Sequence, residues 1–212
     1  MTMNKLSNYS NSYLKSFTKG LEDSIFSILS KDIASEEFLT DITEKISLCS
    51  KNNGRLFFIG NGASAAFSNH MALDWTKNGE IPSFSLSDSA LITALGNDYE
   101  YKLVFVKFLE IYGFNKNDFL ITTSSSGNSP NIIEALLYAK DLSSNILAFS
   151  GLKPDNKSLL NTVYSIYTPF KTYGMVECAH QYFHHLILDR YMNIFEWNRQ
   201  DYQNMDINNF KL

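Results

Sequence analysis

Short apolar runs alternate with helical patterns through most of this chain, and this alternation restricts the possible fold more than any other feature. Five segments have the length and the branched or aromatic character of strands: RLFFIG, IPSFSLS, DFLITTS, NILAFSG and TVYSIYTP. Helical spacing of apolar residues falls around 63–78, 98–111 and 130–141, and a last helix is expected over about 174–195. Such alternation predicts right-handed crossovers and a parallel sheet that helices cover on both faces.

The first fifty residues show a different pattern. From Leu6 to about Lys51 apolar residues recur at helical spacing, which predicts two amphipathic helices. We expect residues 1–52 to form an N-terminal helical extension used for oligomerisation, residues 53–196 to form the α/β domain, and residues 197–212 to form a C-terminal tail. The tail is polar with scattered aromatic residues, which indicates either a frayed end or an arm docked on a neighbouring subunit.

Composition and charge argue against several classes of protein. A chain of 212 residues, 44% of them hydrophobic, can bury a sizeable core. The net charge of −4 comes without a dense Lys/Arg cluster, which disfavours nucleic acid and anionic membranes as partners. No apolar stretch approaches the ~20 residues of a membrane helix, and the opening lacks the apolar core of a signal peptide. Cys49 and Cys178 form no metal-type or redox-type pair, so we expect a cytoplasmic protein.

The segment ITTSSSGNSPNIIEAL places four serines where a predicted strand turns into a helix. They are Ser124, Ser125, Ser126 and Ser129. Backbone N–H groups at a helix start lack partners within the helix, and the helix dipole there favours an anion. Serine hydroxyls add donors, and Gly127 lets the backbone approach a ligand closely. Capping of the helix by Ser129, with Pro130 behind it, leaves the other serines unexplained, so we predict a phosphate site.

A second turn repeats this arrangement in LFFIGNGASAAFSNHMALDW. Gly60, Asn61 and Gly62 lead from a strand into a helix that begins near Ser64. Glycines here allow positive φ and close approach of a ligand. The segment lacks the lysine of a P-loop and is incomplete as a dinucleotide fingerprint, so a nucleotide is not implied. Sugar hydroxyls are the more natural partners of Asn61 and Ser64.

All four histidines of the chain lie on the helix after this turn and on the last helix. His70 and Asp74 share a helical face, a spacing compatible with two metal ligands, an acid/base pair or a hydrogen-bonded surface pair. The last helix carries Glu177, His180, His184 and His185. Three histidines beside a carboxylate in an otherwise apolar helix favour a functional site, although a helical wheel alone would pair His180 with His184.

GNGASAAFSNH together with SSSGNSPN resembles the two ligand loops of the SIS (sugar isomerase) domain family. Three further features are similar to the phosphoheptose isomerase branch of that family. They are the N-terminal extension, the segment Gly96-Asn97-Asp98 and the final helix with its Glu-x-x-His-x-x-x-x-His pattern. The resemblance runs roughly from Leu14 to Met192. It implies a three-layer αβα sandwich with a five-stranded parallel sheet and an N-terminal helical extension, assembled as a homotetramer with its sites at subunit interfaces.

The resemblance also assigns residues. It implies that the four serines hold the phosphate and that the sugar chain is lined by Asn61, Gly62, Ser64, Asn97 and Asp98. The positions that bind one zinc ion per subunit in the family are matched by His70, Asp74, Glu177 and His185. Manganese or iron would also suit such ligands. His180 is expected to contact substrate or to support the metal ligands.

Two departures from the family bear on the chemistry. Asp74 stands where the family has Glu, and Glu177 stands where it has Gln, so either carboxylate could be the general base. Eight residues of helix rise about 12 Å, which puts Glu177 and His185 near the limit that one ion can bridge.

The activity implied by the resemblance is aldose–ketose isomerisation through an enediol. Asp74, Glu177 and His185 would be the catalytic residues. The substrate would be sedoheptulose 7-phosphate, converted to D-glycero-D-manno-heptose 7-phosphate, or a close phosphosugar, for heptose in lipopolysaccharide or capsule. The alternative is a non-catalytic phosphosugar sensor or a scaffold that binds the replication initiator. A related scaffold lacks the final histidine, which this chain retains as His185.

Overall fold

A computed structural model describes residues 8–198 of the chain. Seven strands lie within this range: β1 (Ile25–Ile28), β2 (Lys31–Ile33), β3 (Leu56–Gly60), β4 (Ser83–Ser85), β5 (Phe119–Ser124), β6 (Ile146–Gly151) and β7 (Tyr164–Thr168). The helices are α1 (Tyr9–Glu22), α2 (Ser35–Lys51), α3 (Ala63–Lys77), α4 (Ser89–Tyr99), α5 (Val104–Ile111), α6 (Pro130–Lys140), α7 (Lys157–Leu160) and α8 (Tyr173–Met192). None of the helices in the described range is long and apolar enough to cross a membrane.

The strands form a single sheet in the order β2-β1-β7-β6-β5-β3-β4. The pairs β4–β3, β3–β5, β5–β6 and β6–β7 are all parallel, so the five predicted strands and the three-layer αβα architecture are confirmed. Side chains of β3 alternate between two cores: Phe58 faces α2, α3 and α8, whereas Phe57 faces α4, α5 and α6. Burial on both faces explains why these strands read as nearly continuous apolar runs.

The prediction of two helices over the first fifty residues is wrong between residues 25 and 33. These residues form a β-hairpin whose second strand is β2 and whose first strand, β1, pairs antiparallel with β7. Leu29 and Ser30 turn the chain with positive φ angles of 50° and 61°, the backbone that a two-residue hairpin requires. The sheet therefore has seven strands rather than five, and the N-terminal extension is not helical throughout.

The helix predicted around residues 98–111 is confirmed only as α5, and the helix before it, α4, was not predicted. The structure has α4 and α5 as separate helices, with a short 3₁₀ turn at Tyr101–Leu103 between them. Glu100 adopts a positive φ of 69°, which ends α4. The proposed C-terminal tail falls almost wholly outside the described residues.

A buried ion pair joins the amino ends of β3 and β5. Asp118, which is 1% exposed, accepts hydrogen bonds from the backbone N–H of Arg55 (2.9 Å) and from its guanidinium group (2.7 and 3.1 Å). The Asn115 backbone and amide also donate to this carboxylate. Together these bonds satisfy a charge that would otherwise be costly to bury, and they fix the register of the two central strands.

Helix α1 packs against the end of the β7–α8 connection through a small contact. A methyl group at Gly20 would overlap the Phe170 ring, so only glycine allows this approach. Helix α1 also exposes large apolar side chains, with Tyr9 65% and Leu14 62% exposed. Such exposure is unusual for a surface in contact with water alone.

Candidate functional site

A cavity of about 130 Å³ opens where the β3–α3 and β5–α6 turns meet. The two turns are neighbours because β3 and β5 pair directly, with Gly60 opposite Thr123 at their carboxyl ends. The lining residues are Asn61, Ser64, Thr123, Ser124, Ser125, Ser126, Ser129, Tyr173 and Glu177. The structure thus brings all four predicted serines together with residues from the Gly-Asn-Gly turn and from α8. Ligands of open α/β sheets bind at this edge of the sheet.

The serine turn offers its hydroxyl groups to the cavity. Ser129 occupies the N-cap position of α6 and Pro130 follows it, but the Ser129 side chain makes no capping hydrogen bond. Helix capping therefore does not explain this serine, and its hydroxyl stays available to a ligand.

Gly127 is needed for packing inside the protein, whereas the sequence predicted that it would let the backbone approach a ligand. It has a φ of 60°, and a methyl group there would overlap the Asn156 side chain rather than enter the cavity. Its carbonyl accepts bonds from the backbone N–H (2.9 Å) and the hydroxyl (3.0 Å) of Ser158. Gly127 thus lets the serine turn pack against the β6–α7 connection.

The cavity is neutral apart from one carboxylate. Among the described residues that line it, none is a lysine or an arginine, so an anion would be held by hydroxyl and backbone N–H donors. Glu177 contributes the only negative charge of the lining. Because like charges repel, a bound phosphate would lie against the serines, leaving Glu177 beside the uncharged part of the ligand.

A second cluster forms between α3 and α8. One ligand atom from each of His70, Asp74 and His185 lies within 4.8 Å of the others. Nε2 of His70 is 3.2 Å from a carboxylate oxygen of Asp74, and the His70 and His185 rings are 5.3 Å apart between centroids. Two imidazoles and a carboxylate at this spacing fit a divalent metal ion with mixed nitrogen and oxygen ligands.

Glu177 does not belong to this cluster. It lines the cavity two helical turns before His185, a rise of about 12 Å along α8. Gln181, which we did not predict, lies closer: its amide donates a hydrogen bond to Nε2 of His185 (2.7 Å). The sequence feature that could have indicated Gln181 is its position four residues before His185, which places the two side chains on the same face of the helix.

His180 and His184 belong to the core rather than to the cavity. His180 is 0% exposed, so the expected contact between His180 and substrate is not formed. Burial lowers its pKa to about 4, an effect that the backbone carbonyl of Ser150 partly offsets. The pKa of His184 also lies well below its usual value, because of burial and then of the neighbouring histidines. A hydrogen bond of 2.8 Å joins Nε2 of His184 to the Thr123 hydroxyl.

The remaining predicted residues, Gly62, Asn97 and Asp98, do not line the cavity. Gly62 is exposed at the N-cap of α3, with a φ of 58°. Asn97 and Asp98 are exposed near the end of α4, where the Asn97 amide donates to Asp98 (3.0 Å). Tyr173 and Thr123 line the cavity and were missed, although each adjoins a segment that the sequence had singled out.

The fold and the site define a doubly wound α/β domain with a small cavity, rich in serine, at the carboxyl ends of two central strands. The family profile of the SIS domain matches residues 22–151, and the chain belongs to this family. The predicted resemblance is confirmed.

Curated relatives of the chain are named phosphoheptose isomerase. The protein from Cytophaga hutchinsonii is 38% identical over 106 residues, which cover 48% of this chain and 55% of that protein. The protein from Campylobacter jejuni serotype O:6 is 37% identical over 114 residues, covering 51% of this chain and 61% of that protein. The matched part therefore spans a little over half the length of these relatives.

Solved structures extend the similarity over most of the chain. Phosphoheptose isomerase from Neisseria gonorrhoeae is 25% identical with a TM-score of 0.69, covering 90% of this chain and 99% of that one. Phosphoheptose isomerase from Francisella tularensis has a TM-score of 0.73 at 22% identity, covering 91% of this chain and all of that one, and it shows the same fold.

The buried state of His180 leads to a prediction about stability and pH. The unfolded chain takes up a proton near pH 6.5, whereas the folded chain resists protonation until about pH 4. The free energy of unfolding should therefore fall as the pH drops from 6.5 to 4, by up to about 1.4 kcal/mol per pH unit. Urea denaturation across this range measures the slope. His180→Phe should remove this contribution and leave that of His184, whose pKa burial also lowers, while Phe149→Leu, a packing change beside the His180 ring, should keep the full slope. An equal slope in His180→Phe would contradict the prediction.

Proposed function

We propose that this chain is an aldose–ketose isomerase of the phosphoheptose isomerase type. Its substrate would be sedoheptulose 7-phosphate, converted to D-glycero-D-manno-heptose 7-phosphate, or a closely related phosphosugar used for lipopolysaccharide or capsule. The main support is the cavity that gathers four serines and Glu177 at the edge of a SIS-family sheet. The names of the curated relatives agree with this activity.

The serine turn would bind the phosphate at a distance from the reacting carbons. Hydroxyls of Ser124, Ser125, Ser126 and Ser129 provide uncharged donors. The start of α6 adds little, because Pro130 has no N–H and the N–H groups of Ile132 and Ile133 donate within the turn. Binding energy from this remote group orients the open-chain sugar for reaction. Ser64 and Asn61 lie on the opposite wall, where the sugar hydroxyls would extend.

The cluster on α3 and α8 is suited to a metal ion. His70, Asp74 and His185 would hold it, and zinc fits this set, as would manganese or iron. A bound divalent ion would supply Lewis-acid polarisation of a carbonyl.

Proton transfer requires a carboxylate and an acid. Asp74 contacts His70 and would bind the metal ion with it. Glu177 is the carboxylate that lines the cavity, where the sugar would bind. We assign Glu177 as the base that removes the proton beside the carbonyl and returns it to the neighbouring carbon. Because Nε2 of His185 accepts from Gln181, only its Nδ1 is left: there His185 would either donate a proton to the carbonyl oxygen or bind the metal ion, not both.

The complete site is proposed to form at contacts between copies in a homotetramer. In one subunit the cavity and the cluster lie about two turns of α8 apart. An apolar groove of about 610 Å³ lies beside His185 and is lined by Phe17, Phe67, Tyr182 and Leu186, among others. This groove continues toward the exposed apolar face of α1, which a second copy would cover.

The proposed assembly predicts a particle of four chains. Light scattering after size exclusion should give four times the chain mass, and Leu14→Glu on α1 should reduce it because the charge enters a buried contact. Leu160→Glu, on the equally exposed but distant α7, is the matched control and should leave the mass unchanged. A monomeric mass for the unmodified protein would refute the proposal.

The proposed activity predicts turnover that depends on His185. Metal-loaded protein incubated with sedoheptulose 7-phosphate should give the aldoheptose product by NMR. His185→Ala should abolish conversion and retain phosphosugar binding, since the serine turn lies apart from the cluster, while Lys140→Ala at the far end of α6 should match wild type. Binding without conversion in the wild type would favour the sensor or scaffold alternative. Unchanged turnover in His185→Ala would remove this histidine from the site.

The assignment of the base predicts different effects for the two carboxylates. Glu177→Gln should lower kcat by about 100-fold or more with substrate binding retained. Asp74→Asn should mainly lower the metal content, measured by elemental analysis, and Glu44→Gln on the exposed face of α2 serves as control. Near-normal kcat in Glu177→Gln, with kcat lost in fully metallated Asp74→Asn, would assign the base to Asp74 instead.

A further inference from the structure

The side chains of Asn61 and Asn131 form a reciprocal pair of hydrogen bonds between the two ligand turns. The Asn61 amide donates to the Asn131 carbonyl oxygen (2.9 Å), and the Asn131 amide donates to the Asn61 carbonyl oxygen (2.9 Å). Asn61 follows β3, and Asn131 is the second residue of α6. Both residues lie past the carboxyl ends of the strands, where no backbone hydrogen bonds of the sheet are formed. The side-chain pair therefore connects the β3–α3 turn to the start of α6.

The orientation of both amides is fixed by their other neighbours. A reciprocal amide pair can be reversed on both sides without losing its two bonds. Here the backbone N–H of Ile132 donates to the Asn131 carbonyl oxygen (3.0 Å), which excludes the reversed form because a donor would then face a donor. Asn131 is 3% exposed and cannot satisfy its amide through water instead.

This arrangement determines what Asn61 can offer to a ligand. Its carbonyl oxygen already accepts from Asn131 and from the Tyr101 hydroxyl (3.3 Å), so both acceptor positions are occupied. One of its two amide hydrogens is used by Asn131. The single remaining polar group of the Asn61 side chain is one amide N–H, on a residue that lines the cavity.

We propose that Asn131 is a positioning residue: it sets the separation of the two turns and directs the free N–H of Asn61 to the bound phosphosugar. Asn131 does not line the cavity itself, so it acts through Asn61. This role rests on the proposed function, since it assumes that the cavity binds a sugar phosphate.

The pair can be tested first without any ligand. NMR of the side-chain amide of Asn61 should show slow hydrogen exchange in wild type and fast exchange in Asn131→Ala. Asn145→Ala is the matched control, because that amide also donates across the protein, to the Asp118 carbonyl, but at the amino end of the strands. Unchanged exchange in Asn131→Ala would overturn the proposal.

Binding of sedoheptulose 7-phosphate and of inorganic phosphate then tests the role. Asn131→Ala should raise Kd and KM for the sugar phosphate about tenfold, the loss expected for one well-placed hydrogen bond, with a smaller change in kcat. In an Asn61→Ala background, Asn131→Ala should have no further effect on Kd, whereas a merely structural role would add to it. Additive losses would overturn the proposal, and thermal unfolding of each variant verifies that it is folded.

The two sets of measurements separate two kinds of failure. If wild-type protein binds neither probe, the proposed function fails and the positioning role fails with it, although the exchange data can still establish the amide pair. If the wild type binds the sugar phosphate and Asn131→Ala binds it equally well, the positioning role fails while the proposed function stands.

Discussion

Direct parallel pairing of β3 with β5 is the constraint on which the cavity depends. Two turns of unrelated sequence meet only because their strands are neighbours and end at the same level. The Arg55–Asp118 ion pair, at the amino ends of the same strands about five residues away, fixes the register of β3 against β5. A shift of one residue in this register would turn the β5 side chains to the other face of the sheet and would separate Asn61 from the serines.

Residues of helix α8 lie in three different environments. Glu177 faces the cavity, His180 and His184 pack against the sheet, and His185 faces α3. The two buried rings pack against Phe149 at tilted angles, in an environment where the neutral imidazole is the stable form. Burial thus separates two kinds of histidine on the same helix: His180 and His184 fill the core, whereas His185 is only partly buried and faces the cluster on α3.

Much of the fold could be predicted from local sequence pattern, because buried parallel strands and crossover helices each leave a periodic signal. The hairpin at residues 25–33 gave no such signal, since its apolar spacing imitates a helix and its turn uses Leu29 and Ser30 rather than glycine. In the site, the serines were predictable from their position after a strand. The helical rise already put Glu177 and His185 near the limit for one ion, but which of the two would lie outside the His70 cluster was not predictable, because it depends on how α8 packs against α3.

The hydrogen bond between His184 and Thr123 has a consequence for how this protein tolerates change. It links His184, a buried side chain of α8, to Thr123, which lies in β5 directly before Ser124. Thr123 lines the cavity, so a contact inside the core helps to hold the cavity wall in place. Alterations of the hydrophobic packing around this ring would therefore shift Thr123 and with it the wall of the cavity.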